Sequence, residues 1–146
     1  TLSIQMPVLD NSIGSDGYVS LFVDADNRIN SAVNYLTAKN LESNVLIAHS
    51  LGSVMSTHYL ANNINSFKRY VGIGMPKTAI KYLSNIDIPV LDLYGNEDIP
   101  SVMQGIQGKQ QASMHNSSYR QIMVNADHFF NDKDDLLVSE VNAWLK

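Results

Sequence analysis

The chain has 146 residues, 45% of them hydrophobic and 16% charged, with a net charge of −4 and no cysteine. That length supports one hydrophobic core rather than two, and the missing cysteines exclude disulfides, thiol catalysis and thiolate metal sites. The acidic balance, without any basic cluster, argues against a nucleic-acid partner, and no apolar run reaches the length of a membrane span.

Taken in chain order, Leu2 to Met6 reads as a short strand stopped by Pro7, and Asn11 to Gly17, rich in Asn, Ser, Gly and Asp, reads as a loop. Asp24 or Asp26 can cap a helix whose apolar stripe is Ile29, Ala32, Val33 and Leu36, with Asn40 as its stop. Asn44 to His49 is a strand, and the helix after it carries Leu51, Val54, Met55 and His58 on one face, ending near Asn62 and Asn63. Tyr70 to Ile73 is a strand that runs into Gly74-Met75-Pro76, and Ala79 to Leu83 is a short helix. Ile88 to Tyr94 is a strand, Ser101 to Gln111 a helix weakened by Gly105 and Gly108, and Gln121 to Val124 a strand. Asp132 or Asp134 opens the last helix, which buries Leu137, Val141, Trp144 and Leu145. About five strands alternating with helices predict a parallel sheet covered on both faces, a three-layer α/β/α domain.

The most informative stretch is Val45-Leu46-Ile47-Ala48-His49-Ser50-Leu51-Gly52. A β-branched apolar run stops at a serine flanked by small residues, and a helical pattern starts at once. That is the pattern of a nucleophile elbow, a sharp strand-to-helix turn that pushes the serine Oγ out of the backbone. The usual form is Gly-x-Ser-x-Gly, and here Ala48 replaces the first glycine. The small residues at 48 and 52 are expected because neighbouring backbone crowds such a turn. The plainer alternative is that Ser50 only caps a helix.

Two further strands break at residues able to serve a nucleophile. The first ends in Tyr94-Gly95-Asn96-Glu97-Asp98, and the second in Ala126-Asp127-His128-Phe129-Phe130. Each candidate lies just past the C-terminal end of a strand, the edge where open parallel sheets build their sites. With these pieces the chain resembles the C-terminal two-thirds of an α/β-hydrolase domain, in which the partners follow in the order Ser, Asp or Glu, His. The alanine-first elbow is similar to that of small lidless bacterial lipases. The opening Thr1-Leu2-Ser3-Ile4-Gln5-Met6-Pro7 and the overall layout resemble, more loosely, a bacterial group of α/β-hydrolase-like proteins.

The resemblance implies an acyl-transfer site. Ser50 attacks an acyl carbonyl, His128 acts as base and then acid, and Asp98 orients the imidazole. Glu97 is the runner-up acid, and Asp92 lies mid-strand. Asp127 adjoins His128 and is expected to point its side chain elsewhere. Taken singly, His128 also fits a hydrogen-bonded, partly buried residue, and Asp98 a turn residue or cap. The Leu51 amide would be one oxyanion donor. The resemblance puts the second donor in a loop ahead of Thr1, so residues 1–146 are expected to be a single domain truncated at its N-terminus, with any targeting segment lost.

The implied partner is a small-molecule acyl substrate, with neither cofactor nor metal. The four histidines lack metal-ligand spacing; His49 reads as packing, His58 as structural and His115 as solvated. Gly72-x-Gly74 lacks the third glycine of a dinucleotide fingerprint. The short connection between the strands ending at Ile73 and starting at Ile88 predicts an open, lidless site. Substrate identity, compartment (cytoplasm or periplasm) and oligomeric state are left open. Two alternatives stand beside the serine hydrolase: a non-catalytic binding or scaffold protein of the same fold, and an unrelated flavodoxin-like domain.

Overall fold

The computed structural model describes residues 1–10 and 14–146. Four strands, β1 (Val45–His49), β2 (Arg69–Ile73), β3 (Val90–Glu97) and β4 (Tyr119–Asp127), form one sheet in the order β1-β2-β3-β4, and every neighbouring pair is parallel. Parallel neighbours need crossover connections, which cover both faces of the sheet with helices. The helices are α1 (Phe22–Ala38), α2 (Leu51–Asn62), α3 (Ile80–Leu83), α4 (Pro100–Met103), α5 (Ile106–Ala112) and α6 (Asp134–Leu145).

Strand residues alternate between the two faces, and each face has its own core. Tyr70, Val90 and Tyr119, with Leu46 and Ala48, join Phe22, Ala25 and Ile29 of α1 and Val54, Met55 and Tyr59 of α2. Val71, Ile73, Leu91 and Leu93 point the other way, to Leu137, Val141, Trp144 and Leu145 of α6. The expected three-layer α/β/α architecture is therefore present.

Several boundaries differ from the sequence reading. Leu2 to Met6 is not a strand: the sheet of the described residues has four strands, not five, and none pairs with this segment. A strand exists only through a ladder partner. Here Ile4 and Met6 instead pack against the helical core, and the Arg28 guanidinium donates to the Gln5 carbonyl at 2.6 Å. Of the expected loop over residues 11–17, residues 11–13 lie outside the described ones, and Ser15–Leu21 forms a 3₁₀ helix. Because α1 continues from that 3₁₀ helix, no side chain caps it. Asp26 lies inside α1 and meets His58 at 3.1 Å and Asn63 at 3.0 Å, tying α1 to α2.

The predicted stop at Asn40 is present. Asn40 has φ 57°, and the amides of Leu41 and Asn40 donate to the carbonyls of Leu36 and Thr37. These are the 6→1 and 5→2 bonds of a Schellman motif, and asparagine tolerates its left-handed position. The helix expected from Ser101 to Gln111 is interrupted between α4 and α5 at Gln104 and Gly105.

Among the described residues, one ion pair lies wholly inside the protein. Lys109 of α5 donates from Nζ to Asp92 of β3 at 2.9 Å and to the Met75 carbonyl at 2.8 Å, and both charged side chains have 0% exposure. The Tyr119 hydroxyl (2.8 Å) and Gln121 Nε2 (3.0 Å) also donate to the Asp92 carboxylate, at Oδ2. A buried charge is tolerable only when paired and hydrogen-bonded in this way.

Candidate active site

Ser50 stands between the end of β1 and the first residue of α2. Its backbone, φ 53° and ψ −128°, occupies a region that L-residues rarely adopt. Such a conformation costs about 1–3 kcal/mol and persists only where the surroundings over-determine it. Here the Ser50 amide donates to the Ile73 carbonyl of β2 at 2.9 Å, while its carbonyl accepts from the Ser53 amide and hydroxyl. The expected crowding at residue 52 is absent. A Cβ on Gly52 would meet only Met6 Cγ at 3.9 Å, an ordinary contact, so the tightness resides in the Ser50 backbone itself. Leu51, as the first residue of α2, carries an amide without an intrahelical acceptor.

His128 follows the last residue of β4, and Asp98 the last residue of β3. The two strand ends converge because Gly95 has no side chain: a Cβ there would lie 2.1 Å from the Ala126 carbonyl oxygen. The register also shifts between Gly95 and Glu97. His128 Nδ1 lies 2.6 Å from Asp98 Oδ1, and His128 Nε2 lies 2.8 Å from Ser50 Oγ. A carboxylate oxygen only accepts, so the imidazole carries its proton on Nδ1. That leaves Nε2 bare to accept from the serine hydroxyl.

The acid and the imidazole are both nearly buried, at 7% and 6% exposure. The Asp98 carboxylate is itself oriented by the amides of Ile99 (2.8 Å) and Gly95 (3.3 Å). Gly74, at φ 54°, backs the imidazole, and a Cβ there would stand 3.0 Å from the His128 ring.

The other carboxylates are placed elsewhere. Glu97 is exposed at the register shift between β3 and β4, and Asp92 is the partner of Lys109. Asp127 turns into the loop after β4, where its carboxylate accepts from the amides of Phe129 and Asn131 and from the Asn131 side chain. The Asn131 donors, its amide first, hold the Asp127 carboxyl below the usual carboxylate range. His58 faces Asp26, and His115 lies in the turn after α5 beside the Ile86 carbonyl.

His49 is more than packing. It is exposed, its Nε2 lies 2.8 Å from the His128 carbonyl oxygen, and its ring centroid stands 4.8 Å from that of His128. Its position next to Ser50 was the only sequence signal.

Among the described residues, the β2–β3 connection forms no lid over the constellation. The connection from β2 to β3 holds a 3₁₀ turn (Lys77–Ala79) and α3, and its Ala79 and Leu83 are buried in the core rather than raised over Ser50. A groove of about 720 Å³ lies elsewhere, between Leu2, Ile4 and Gln5 and the Asn27, Arg28 and Tyr35 side of α1. Among the described residues no three His, Asp or Glu side chains converge as a metal site requires, and no helix is long and apolar enough to cross a membrane.

Known structures share this architecture. The esterase domain of a Rhodothermus marinus protein is 17% identical, with a TM-score of 0.69 over 80% of this chain and 65% of its own. The Pyrococcus furiosus esterase Pf2001 is 14% identical, with a TM-score of 0.69 over 80% of this chain and 59% of its own. A putative dienelactone hydrolase from Klebsiella pneumoniae is 18% identical, with a TM-score of 0.68 over 82% of this chain and 60% of its own. The chain thus spans about three-fifths of each of these three structures, and at these identities the likeness speaks for the fold alone. No curated protein sequence matches. A family profile described as "Protein of unknown function (DUF3530)" matches residues 23–146. The match takes in the elbow, both partner strands and α6, so the chain belongs to that family and carries an α/β-hydrolase fold.

Proposed function

We propose that this protein is a serine hydrolase that cleaves an ester, thioester or amide through an acyl-enzyme on Ser50. The reading rests on the unbroken Ser50–His128–Asp98 hydrogen-bonded chain, at 2.8 and 2.6 Å, at the C-terminal edge of the sheet. A free hydroxyl is a poor nucleophile near neutral pH. His128 Nε2 takes the Ser50 proton as Oγ bonds to the acyl carbon, and Asp98 stabilises the resulting imidazolium. The tetrahedral oxyanion accepts from the Leu51 amide, a donor of the kind whose loss costs about 10²–10³ in rate. His128 then hands its proton to the leaving group. Water, deprotonated by the same nitrogen, releases the acid and restores Ser50. The cycle consumes one water and needs no cofactor.

Among the described residues the β2–β3 connection raises no cap over the site, and Phe129, 71% exposed, extends beside the His128 ring at 5.2 Å. This favours a small or flexible acyl group with some apolar surface. The test is stopped-flow hydrolysis of p-nitrophenyl acetate and butyrate. The expected result is a Ser50-dependent burst, with turnover at least about 10³-fold lower in Ser50→Ala and His128→Ala. Equal turnover in wild type and Ser50→Ala refutes the mechanism and moves the protein to the non-catalytic reading.

A further inference from the structure

We propose that His49 is a positioning residue, whose Nε2–H bond to the His128 carbonyl holds the base's loop against the strand that delivers the serine. The inference rests on the reading of His128 as the base.

The loop that carries His128 is irregular. Phe130 and Asp132 have φ of 56° and 55°, and among the described residues its other backbone ties are local. Asp127 accepts from the amides of Phe129 and Asn131, the Phe130 amide donates to the Asp127 carbonyl, and the Lys133 amide donates to that of Phe130. Phe130 anchors the far side of the loop in the α6 core. On the site side, the His49 bond links the His128 backbone to β1, across 79 residues of sequence.

The chemistry of the bond fixes a proton. A carbonyl oxygen only accepts, so His49 carries its hydrogen on Nε2, and in the neutral ring Nδ1 is bare. The two neighbouring histidines, their rings tilted by 39°, therefore stand in opposite tautomers, His128 protonated on Nδ1 and His49 on Nε2. A bond that sets the His128 backbone sets the approach of its ring to Ser50 Oγ, and small errors in that approach are costly in rate.

Donor and ring can be separated. His49→Gln keeps an N–H at the position of Nε2 without the ring, whereas His49→Phe keeps a ring against His128 without the donor. Both are compared with wild type for kcat and KM on p-nitrophenyl acetate, for melting temperature, and by long-range ¹H–¹⁵N spectra of histidine-labelled protein, which report the His128 tautomer without turnover. The expected outcome is that His49→Gln keeps kcat within about threefold and a single His128 tautomer. His49→Phe is expected to lower kcat about tenfold, with KM within about twofold, and to mix the His128 tautomers. The proposal is overturned if His49→Phe matches wild type, or if both variants lose activity and the single tautomer alike. If wild type itself shows no turnover, the hydrolase reading fails, and the tautomer spectra still decide the role of His49.

Discussion

The buried ion pair gives the sharpest stability prediction. Lys109→Met keeps roughly the side-chain volume but removes the cation 2.9 Å from Asp92 and the donor 2.8 Å from the Met75 carbonyl. Breaking a buried pair by deleting one partner costs about 3–5 kcal/mol, because the remaining charge stays desolvated. The Tyr119 hydroxyl and Gln121 amide still donate to the Asp92 carboxylate, which puts the expected loss at the low end of that range. A loss of about 3 kcal/mol lowers the melting temperature of a domain this size by roughly 6–12 °C. The assay is urea unfolding followed by circular dichroism and Trp144 fluorescence, at low salt and at 1 M NaCl. The loss should persist at high salt, since a fully buried pair is little screened. Asp92→Asn introduced into Lys109→Met should recover part of it, because a neutral amide oxygen can still accept from Tyr119 and Gln121. A cost below about 1 kcal/mol, or one that vanishes in salt, refutes the argument.

Two further predictions come from the backbone and from the tyrosines. Because Ser50 sits at φ 53° and ψ −128°, Ser50→Gly removes strain that Ser50→Ala retains, and should melt about 2–6 °C above it in calorimetry; equal melting temperatures contradict a strained elbow. At alkaline pH, burial first and the Asp92 charge second hold the hydroxyls of Tyr70 and Tyr119 above the ordinary tyrosine range, which centres on 10.0. With folded pKa values raised, their contribution is intact below the unfolded value and is lost as pH rises above it. Stability measured by urea unfolding should therefore be level near pH 9 and then fall progressively as pH rises above 10. A level profile through pH 11 contradicts it.

Much of the site was legible because its chemistry is tied to strand ends. A buried strand that stops at a serine, a glycine turn that ends in a carboxylate and a strand that stops at a histidine are local patterns. The fold then brings Ser50 and Asp98 each within hydrogen-bond reach of His128. What escaped the sequence depends on partners far along the chain. Asp92 reads as a misplaced carboxylate until Lys109, from a helix on the same face, is seen against it. His49 reads as packing until the loop after β4 lies over it. Leu2 to Met6 has the composition of a strand, but a strand needs a ladder partner, and its side chains found the helices. Gly52 shows the limit of arguing from a motif. The tightness attributed to it belongs to the backbone of Ser50, two residues earlier.

The central claim, an activated serine at position 50, is tested most directly by fluorophosphonate labelling read by intact mass, with Ser50→Ala and His128→Ala run beside wild type. The account predicts one adduct on wild type, lost in both variants. The absence of any adduct on wild type, or an adduct that survives Ser50→Ala, would contradict it.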